Sequence, residues 1–216
     1  MSSAAWAGVL AGTALGAIVA ARTVLDVFGG GQLGAPNEQQ HETLVADLAA
    51  LALAGGGRIE SPTGASLGAS YYADVRFMQI GALEPHGAHG GKLRRWLYLH
   101  PPSTASFDVL VPDNAVFRAG LGIDPVTWEA PVGDGVRFIV SARTLSDGGQ
   151  PAAVLLDRHV NPRARTEERG WNEVEIGLDR FAGQRIELTL RTEPVDELSF
   201  DWAGWGNPII HVRTDS

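Results

Sequence analysis

Trp202 and Trp205 stand three residues apart in SFDWAGWGNPIIH, the stretch from Ser199 to His211. Two indoles so placed could offer flat apolar faces on which a sugar ring stacks. Alternation argues for another placing. Phe200 and Trp202 fall on one face of a strand, turned to a core, and Asp201 falls on the other. Gly204 to Pro208 then reads as a corner packed by Trp205, before Ile209, Ile210 and Val212 resume the strand. Trp128, in the loop DPVTWEAPVGDG, is the better exposed aromatic on this reading, open to a ligand, a protein or a lipid surface. Asp124, Asp134 and Asp201 are oxygen donors beside glycine corners. A calcium ion uses such donors, but their spacing is not that of an EF-hand loop, and Asp is also a routine turn residue. In EPHGAHGG, His86 and His89 with Glu84 make a His-x-x-His metal candidate that lacks a third strong ligand. Arg163 and Arg165, in DRHVNPRARTEER, are candidate partner contacts of the kind found in a polar rim.

Catalytic patterns are missing. The chain shows no nucleophile elbow, no paired-carboxylate frame, no P-loop and no dinucleotide fingerprint. GGGQLG, from Gly29, follows an apolar helix rather than a strand and reads as a linker. With no cysteine there is no disulfide framework, thiolate site or cysteine nucleophile. A net charge of −8 argues against a nucleic-acid partner, which requires a basic footprint. At 44% hydrophobic and 19% charged residues, the chain can bury a substantial core. These observations describe a binding or structural protein rather than an enzyme.

The elements that must position the candidates are short strands. Tyr71–Ile80, Arg94–Leu99, Phe107–Val111, Phe117–Ile123, Val136–Val140, Ala152–His159, Val174–Leu178 and Ile186–Leu190 alternate or run apolar between turn signals. Tyr71, Ala73, Val75 and Phe77 share one face of the first. The pattern predicts an all-β fold, an antiparallel sandwich or jelly roll, over residues 69–216. Ahead of it, residues 29–68 read as a linker. Within them an amphipathic helix is capped at Asn37, carries Leu44, Val45, Leu48 and Leu51 on one stripe, and ends at Gly55-Gly56-Gly57.

Residues 1–28 read as a transmembrane anchor. No charged side chain occurs from Met1 to Ala21, and Ala4–Ala21 approaches the roughly 20 residues that span a bilayer. A cleaved signal peptide would carry Lys or Arg ahead of its apolar core, and none is present. Gly8, Gly12 and Gly16 recur every four residues, a double GxxxG that forms a helix-packing groove for a second copy or for another membrane helix. The sandwich is expected on the periplasmic or cell-surface side of that anchor.

Four segments carry a family resemblance: FRAGLGID from Phe117, GDGVRFIV from Gly133, WNEVEIGLDRFAGQRIELTL from Trp171 and DWAGWGNP from Asp201. In this order they resemble the galactose-binding-like jelly rolls. They are most similar to the NPCBM module found beside glycosidase catalytic domains, and the likeness covers Tyr71 to Val212. The closing strand departs from the family pattern by an extra tryptophan at position 202. The resemblance implies a binding module. Some relatives hold sugars in loops at one end of the sandwich, some carry a structural calcium, and others serve only as interaction surfaces.

The leading expectation is a non-catalytic single-pass membrane protein, an accessory or stabilising subunit of a larger membrane complex such as a photosynthetic or respiratory one. Its partners would be the lipid bilayer and the transmembrane helices of that complex or of a second copy. The alternative is a membrane-anchored carbohydrate-binding module with glycans as ligands. No cofactor is expected beyond the structural calcium that the resemblance allows.

Overall fold

The computed structural model describes residues 42–62, 67, 71–81, 91–146 and 151–213. The expected membrane helix with Gly8, Gly12 and Gly16, the Asn37 cap, and Glu84, His86 and His89 all lie outside them. Among the described residues no helix is long and apolar enough to cross a membrane.

The elements follow one another as β1 (Thr43–Asp47), α1 (Leu48–Leu53), β2 (Gly57–Glu60), β3 (Ala73–Ile80), β4 (Lys92–Leu99), β5 (Ser103–Leu110), β6 (Ala115–Ile123), β7 (Val136–Thr144), β8 (Ala153–Val160), β9 (Asn172–Gly177), β10 (Arg185–Pro194) and β11 (Ala203–Val212). They form two antiparallel sheets. One runs β3-β4-β11-β6-β9 with β1 added against β11, and the other runs β2-β5-β10-β7-β8. The strands expected from alternation all form. The all-β class follows from them, and the architecture is a sandwich.

The core lies between the sheets. Leu97, Leu99, Phe117, Leu121, Trp205 and Ile210 enter it from the first sheet, and Phe107, Phe138, Val140, Leu188 and Leu190 from the second. Each fully buried side chain of this size contributes roughly 1.5–3 kcal/mol. Phe77, expected on one face of β3 with Ala73 and Val75, is 66% exposed while Ala73 is buried. It sits toward the far end of an edge strand, opposite Arg95, whose guanidinium lies 6.0 Å from its ring.

The expected connector helix is mostly something else. Leu44 and Val45 belong to β1, which pairs with β11 from Ile209 to Val212. Only Leu48–Leu53 is helical. Asp47, the last residue of β1, caps that helix by accepting from the Ala50 N–H at 2.9 Å, and Leu48, Ala49 and Ala52 bury its inner side. The helical stripe lost because the free edge of β11 offers backbone donors and acceptors that need a partner. Residues read as a tether thus supply β1, α1 and β2 to the sandwich.

β11 is the strand with most neighbours. Its first part, Gly204–Gly206, pairs with β4, its last part with β1, and β6 runs along the other side. Register shifts between Gly206 and Ile209. Asn207 there has φ +46, and its side-chain oxygen accepts from the Arg95 N–H at 2.9 Å, replacing a ladder bond. Pro208, which has no N–H to donate, is tolerated because it stands in that bulge.

Candidate functional site

The start of β11 places the two tryptophans opposite to the expected way. Trp205 is fully buried, its ring 5.2 Å from Phe138 of the facing sheet and 6.4 Å from Phe117. Ala203 and Asp201 are buried with it. Trp202 is only half-buried, and Phe200 is 42% exposed. Two local breaks invert the count: the bulge at Asn207 and Pro208, and the left-handed backbone of Phe200 at φ +68. A slip of one residue exchanges every inward for an outward side chain. Trp205 is therefore a core residue and offers no ligand surface.

Trp202 faces a pocket on the outside of the first sheet. Its lining is Tyr71, Asp74, Arg76, Tyr98 and Trp202, around a volume of about 200 Å³ open to solvent. β3 and β4 set this up by alternation. Leu97 and Leu99 point into the core, so Tyr98 between them points out, and Asp74 is its partner across the ladder. Tyr71 and Trp202 meet edge to face at 6.5 Å. Tyr71 also lies 5.1 Å from His100, which buries itself against Tyr72 at 5.0 Å and backs the pocket. The Arg76 guanidinium stacks over Tyr98 at 4.6 Å and over Trp96 at 5.1 Å.

The electrostatics keep the polar rim available. Among the described residues no carboxylate forms an ion pair with Arg76, and no cation forms one with Asp74. One Asp74 oxygen accepts from the Val75 N–H at 2.7 Å. Burial first, and the neighbouring Tyr71 second, push the Tyr98 hydroxyl far above its usual range, so it stays protonated and can donate. The site joins flat aromatic surface to one anionic and one cationic hydrogen-bonding group. It holds no nucleophile paired with a base.

Sequence reasoning missed Tyr71, Asp74, Arg76 and Tyr98 as a group. The signal was present. YYADVR places Tyr72, Asp74 and Arg76 on the polar face of one strand, and RRWLYL places Arg94, Trp96 and Tyr98 on the outer face of the next. Large aromatics on a face that should be solvated mark either a cover or a site.

The other candidates serve the loops beside β11. Trp128 is 5% exposed, and its indole N–H donates to the Ile123 carbonyl at 2.9 Å, so it is not the open aromatic that its loop predicts. Arg163 is exposed and donates to the Gly133 carbonyl at 3.3 Å, while Arg165 donates to the His159 carbonyl at 2.8 Å and pairs with Glu168. Both arginines hold their own loop to its neighbours. Asp124 caps the 3-10 turn Pro125–Thr127, accepting from the Val126 N–H at 3.1 Å. Asp134 accepts from the Asp196 and Glu197 N–H groups with one oxygen. Its other oxygen is buried without a partner, as is one oxygen of Asp201. Burial first, and Asp134 second, push the Asp201 carboxyl up to about 8. Two carboxylates are the right donors for calcium but far short of the six to eight oxygens it takes. Among the described residues no group of three acidic or histidine side chains could hold a metal ion. A proton on Asp201 answers the buried charge instead.

The fold defines this chain as a two-sheet antiparallel β-sandwich with an aromatic pocket on one outer face. No family model matches it. An uncharacterized protein of Archaeoglobus fulgidus is 34% identical over 122 residues, which are 53% of this chain and 30% of that protein. The chain thus spans less than a third of that relative's length. Among solved structures it is similar to the CBM51-2 and INT domains of Clostridium perfringens ZmpB, at 17% identity and TM-score 0.47, over 67% of this chain and 29% of that one. It is similar also to the CBM51 of the Clostridium perfringens GH95 protein, solved with methyl-galactose, at 14% identity and TM-score 0.46, over 78% of this chain and 99% of that one. A CBM61 module solved with galactotriose matches at 16% identity and TM-score 0.40, over 73% of this chain and 88% of that one.

Proposed function

We propose that this chain is a non-catalytic carbohydrate-binding module whose ligand sits in the pocket of Tyr71, Asp74, Arg76, Tyr98 and Trp202. The observation that carries the reading is the meeting of aromatic rings with one carboxylate and one guanidinium, neither in an ion pair among the described residues, in one open concavity. A sugar ring has an apolar face of C–H groups and an edge of hydroxyls. The indole and phenol rings take the face, the Asp74 carboxylate accepts from hydroxyls, and the Arg76 guanidinium donates to them. Such a site needs no metal and no moving part. The complex-subunit expectation rested on the glycine row of residues 8–16, which lies outside the described residues, and on a sandwich with no enzyme attached. On the reading proposed, the apolar stretch from Ala4 to Ala21 would hold the module at a membrane, with the pocket facing outward to glycans. The direct test is a glycan array followed by calorimetry, with the wild-type chain and Trp202→Ala side by side. Saturable binding that the substitution weakens supports the reading. A flat response across neutral, acidic and amino sugars would end it.

A further inference from the structure

Asp74 and Arg76 are the charged members of the pocket's lining. They stand two residues apart on the outer face of β3, roughly 7 Å along it. Elsewhere in the sandwich, opposite charges at this spacing close on each other. Arg58 reaches Glu60 on β2 at 3.4 Å, and Arg191 reaches Glu193 on β10 at 3.3 Å. Among the described residues Asp74 and Arg76 form no such pair.

Local contacts hold them open. The Arg76 guanidinium is drawn sideways onto the next strand, over Tyr98 at 4.6 Å and Trp96 at 5.1 Å. One Asp74 oxygen turns back to its own strand and accepts from the Val75 N–H at 2.7 Å. Asp74 is also one methylene shorter than the two glutamates that pair. The pocket therefore presents an anion and a cation side by side, not spent on each other, next to the rings of Tyr71 and Trp202.

A ligand seated on those rings takes water from both groups and must replace the hydrogen bonds that water made. A neutral sugar replaces both at once. One hydroxyl donates to the Asp74 carboxylate and the adjacent hydroxyl accepts from the Arg76 guanidinium, each bond assisted by a charge. A uronic acid can pair with Arg76 only by bringing its carboxylate beside Asp74. A sugar with a free amine can pair with Asp74 only by bringing its ammonium beside Arg76. In both cases a like charge offsets the new pair. Resting on the carbohydrate reading, we propose that Asp74 and Arg76 form a charge gate. It admits a neutral sugar that bridges the two through adjacent hydroxyls, and it turns away uronic acids and free amino sugars.

The test is isothermal titration of three methyl glycosides built on the sugar that the glycan array selects: the neutral sugar, its uronic acid and its free amino form. At about pH 6 the acid is ionised and the amine protonated. The wild type should hold the neutral glycoside at least about tenfold more tightly than either charged one. Asp74→Asn should bring the uronic acid within about threefold of the neutral sugar and leave the amino sugar behind. Arg76→Gln should do the reverse. A merely structural role would not cross the two preferences, since a damaged pocket weakens all three ligands alike. Should Arg76→Gln unfold, Arg76→Met keeps an apolar cover on Tyr98 and Trp96 without the charge and should favour the amino sugar in the same way. A wild type that prefers the neutral glycoside by less than tenfold overturns the gate while the carbohydrate reading stands. So does an array that selects uronic or free amino sugars, or variants that leave the ratios among the three ligands unchanged. A flat array ends both proposals together.

Discussion

The sandwich has two aromatic clusters, three residues apart on one segment, and they are built on opposite terms. Trp205 packs with Phe117 and Phe138 between the sheets, with no exposure and with its indole nitrogen lacking a hydrogen-bond partner. Trp202 packs with Tyr71 on the outer face, half open, beside the Asp74 carboxylate and the Arg76 guanidinium, neither of which forms an ion pair among the described residues. The first cluster gains from dryness and accepts one orphaned N–H as its cost. The second leaves Tyr71 and Trp202 partly wet and, among the described residues, two charged groups without an ion pair, an arrangement that the proposed ligand would use. Stability should therefore depend on Trp205 and binding on Trp202.

The largest effect expected is at the inner cluster. Trp205→Ala should cost roughly 3–5 kcal/mol, enough to remove much of the stability of a domain this size, read by urea denaturation. If it cost less than about 1 kcal/mol, the contrast between the clusters would fail.

Next comes the buried acid between them. Folding raises the Asp201 carboxyl to about 8, against an unfolded value of roughly 3.9. The folded chain thus holds a proton that the unfolded chain has released. Its contribution is fully present below about pH 4 and is lost as pH rises toward 8, by about 1.4 kcal/mol per pH unit at most. Asp201→Asn should remove this slope. Parallel urea titrations of wild type and variant at about pH 5 and about pH 8 isolate it from the opposite slope of Glu42 and Glu187, whose arginine partners hold them below the usual carboxylate range. An unchanged slope would mean that Asp201 is ionised and compensated by another group.

Trp202→Ala should reverse the pattern of Trp205. Sugar binding should weaken at least tenfold, about 1.4 kcal/mol, while the urea midpoint changes little. A large loss of stability from this variant would make the outer cluster a cover rather than a site. The smallest effect is expected at Arg163. Arg163→Ala loses one long hydrogen bond from an exposed side chain, so stability should move by less than about 0.5 kcal/mol and sugar affinity not at all. A loss of affinity there would move the ligand to the loops around Trp128.

The sequence by itself determined the fold class. Period-two alternation in β6, β7, β9 and β10 is a local signal, because a strand buried on one face must repeat every two residues whatever it pairs with. Where one residue of count mattered, local reading failed. The bulge at Asn207 and Pro208 and the left-handed Phe200 turned Trp205 inward and Trp202 outward. Both breaks arise from how β11 is shared among β4, β6 and β1. Trp128 looked open because its loop is polar, yet the Ile123 carbonyl five residues back takes its N–H. Leu44 and Val45 looked helical because nothing local announces the edge of β11, more than 160 residues away. Only the tertiary structure could assemble the pocket. Tyr71, Asp74 and Arg76 come from one edge strand and its approach, Tyr98 from the next strand, and Trp202 from the end of the chain. Contacts between residues so far apart in sequence are decided by strand order and register, which alternation along a single strand does not encode.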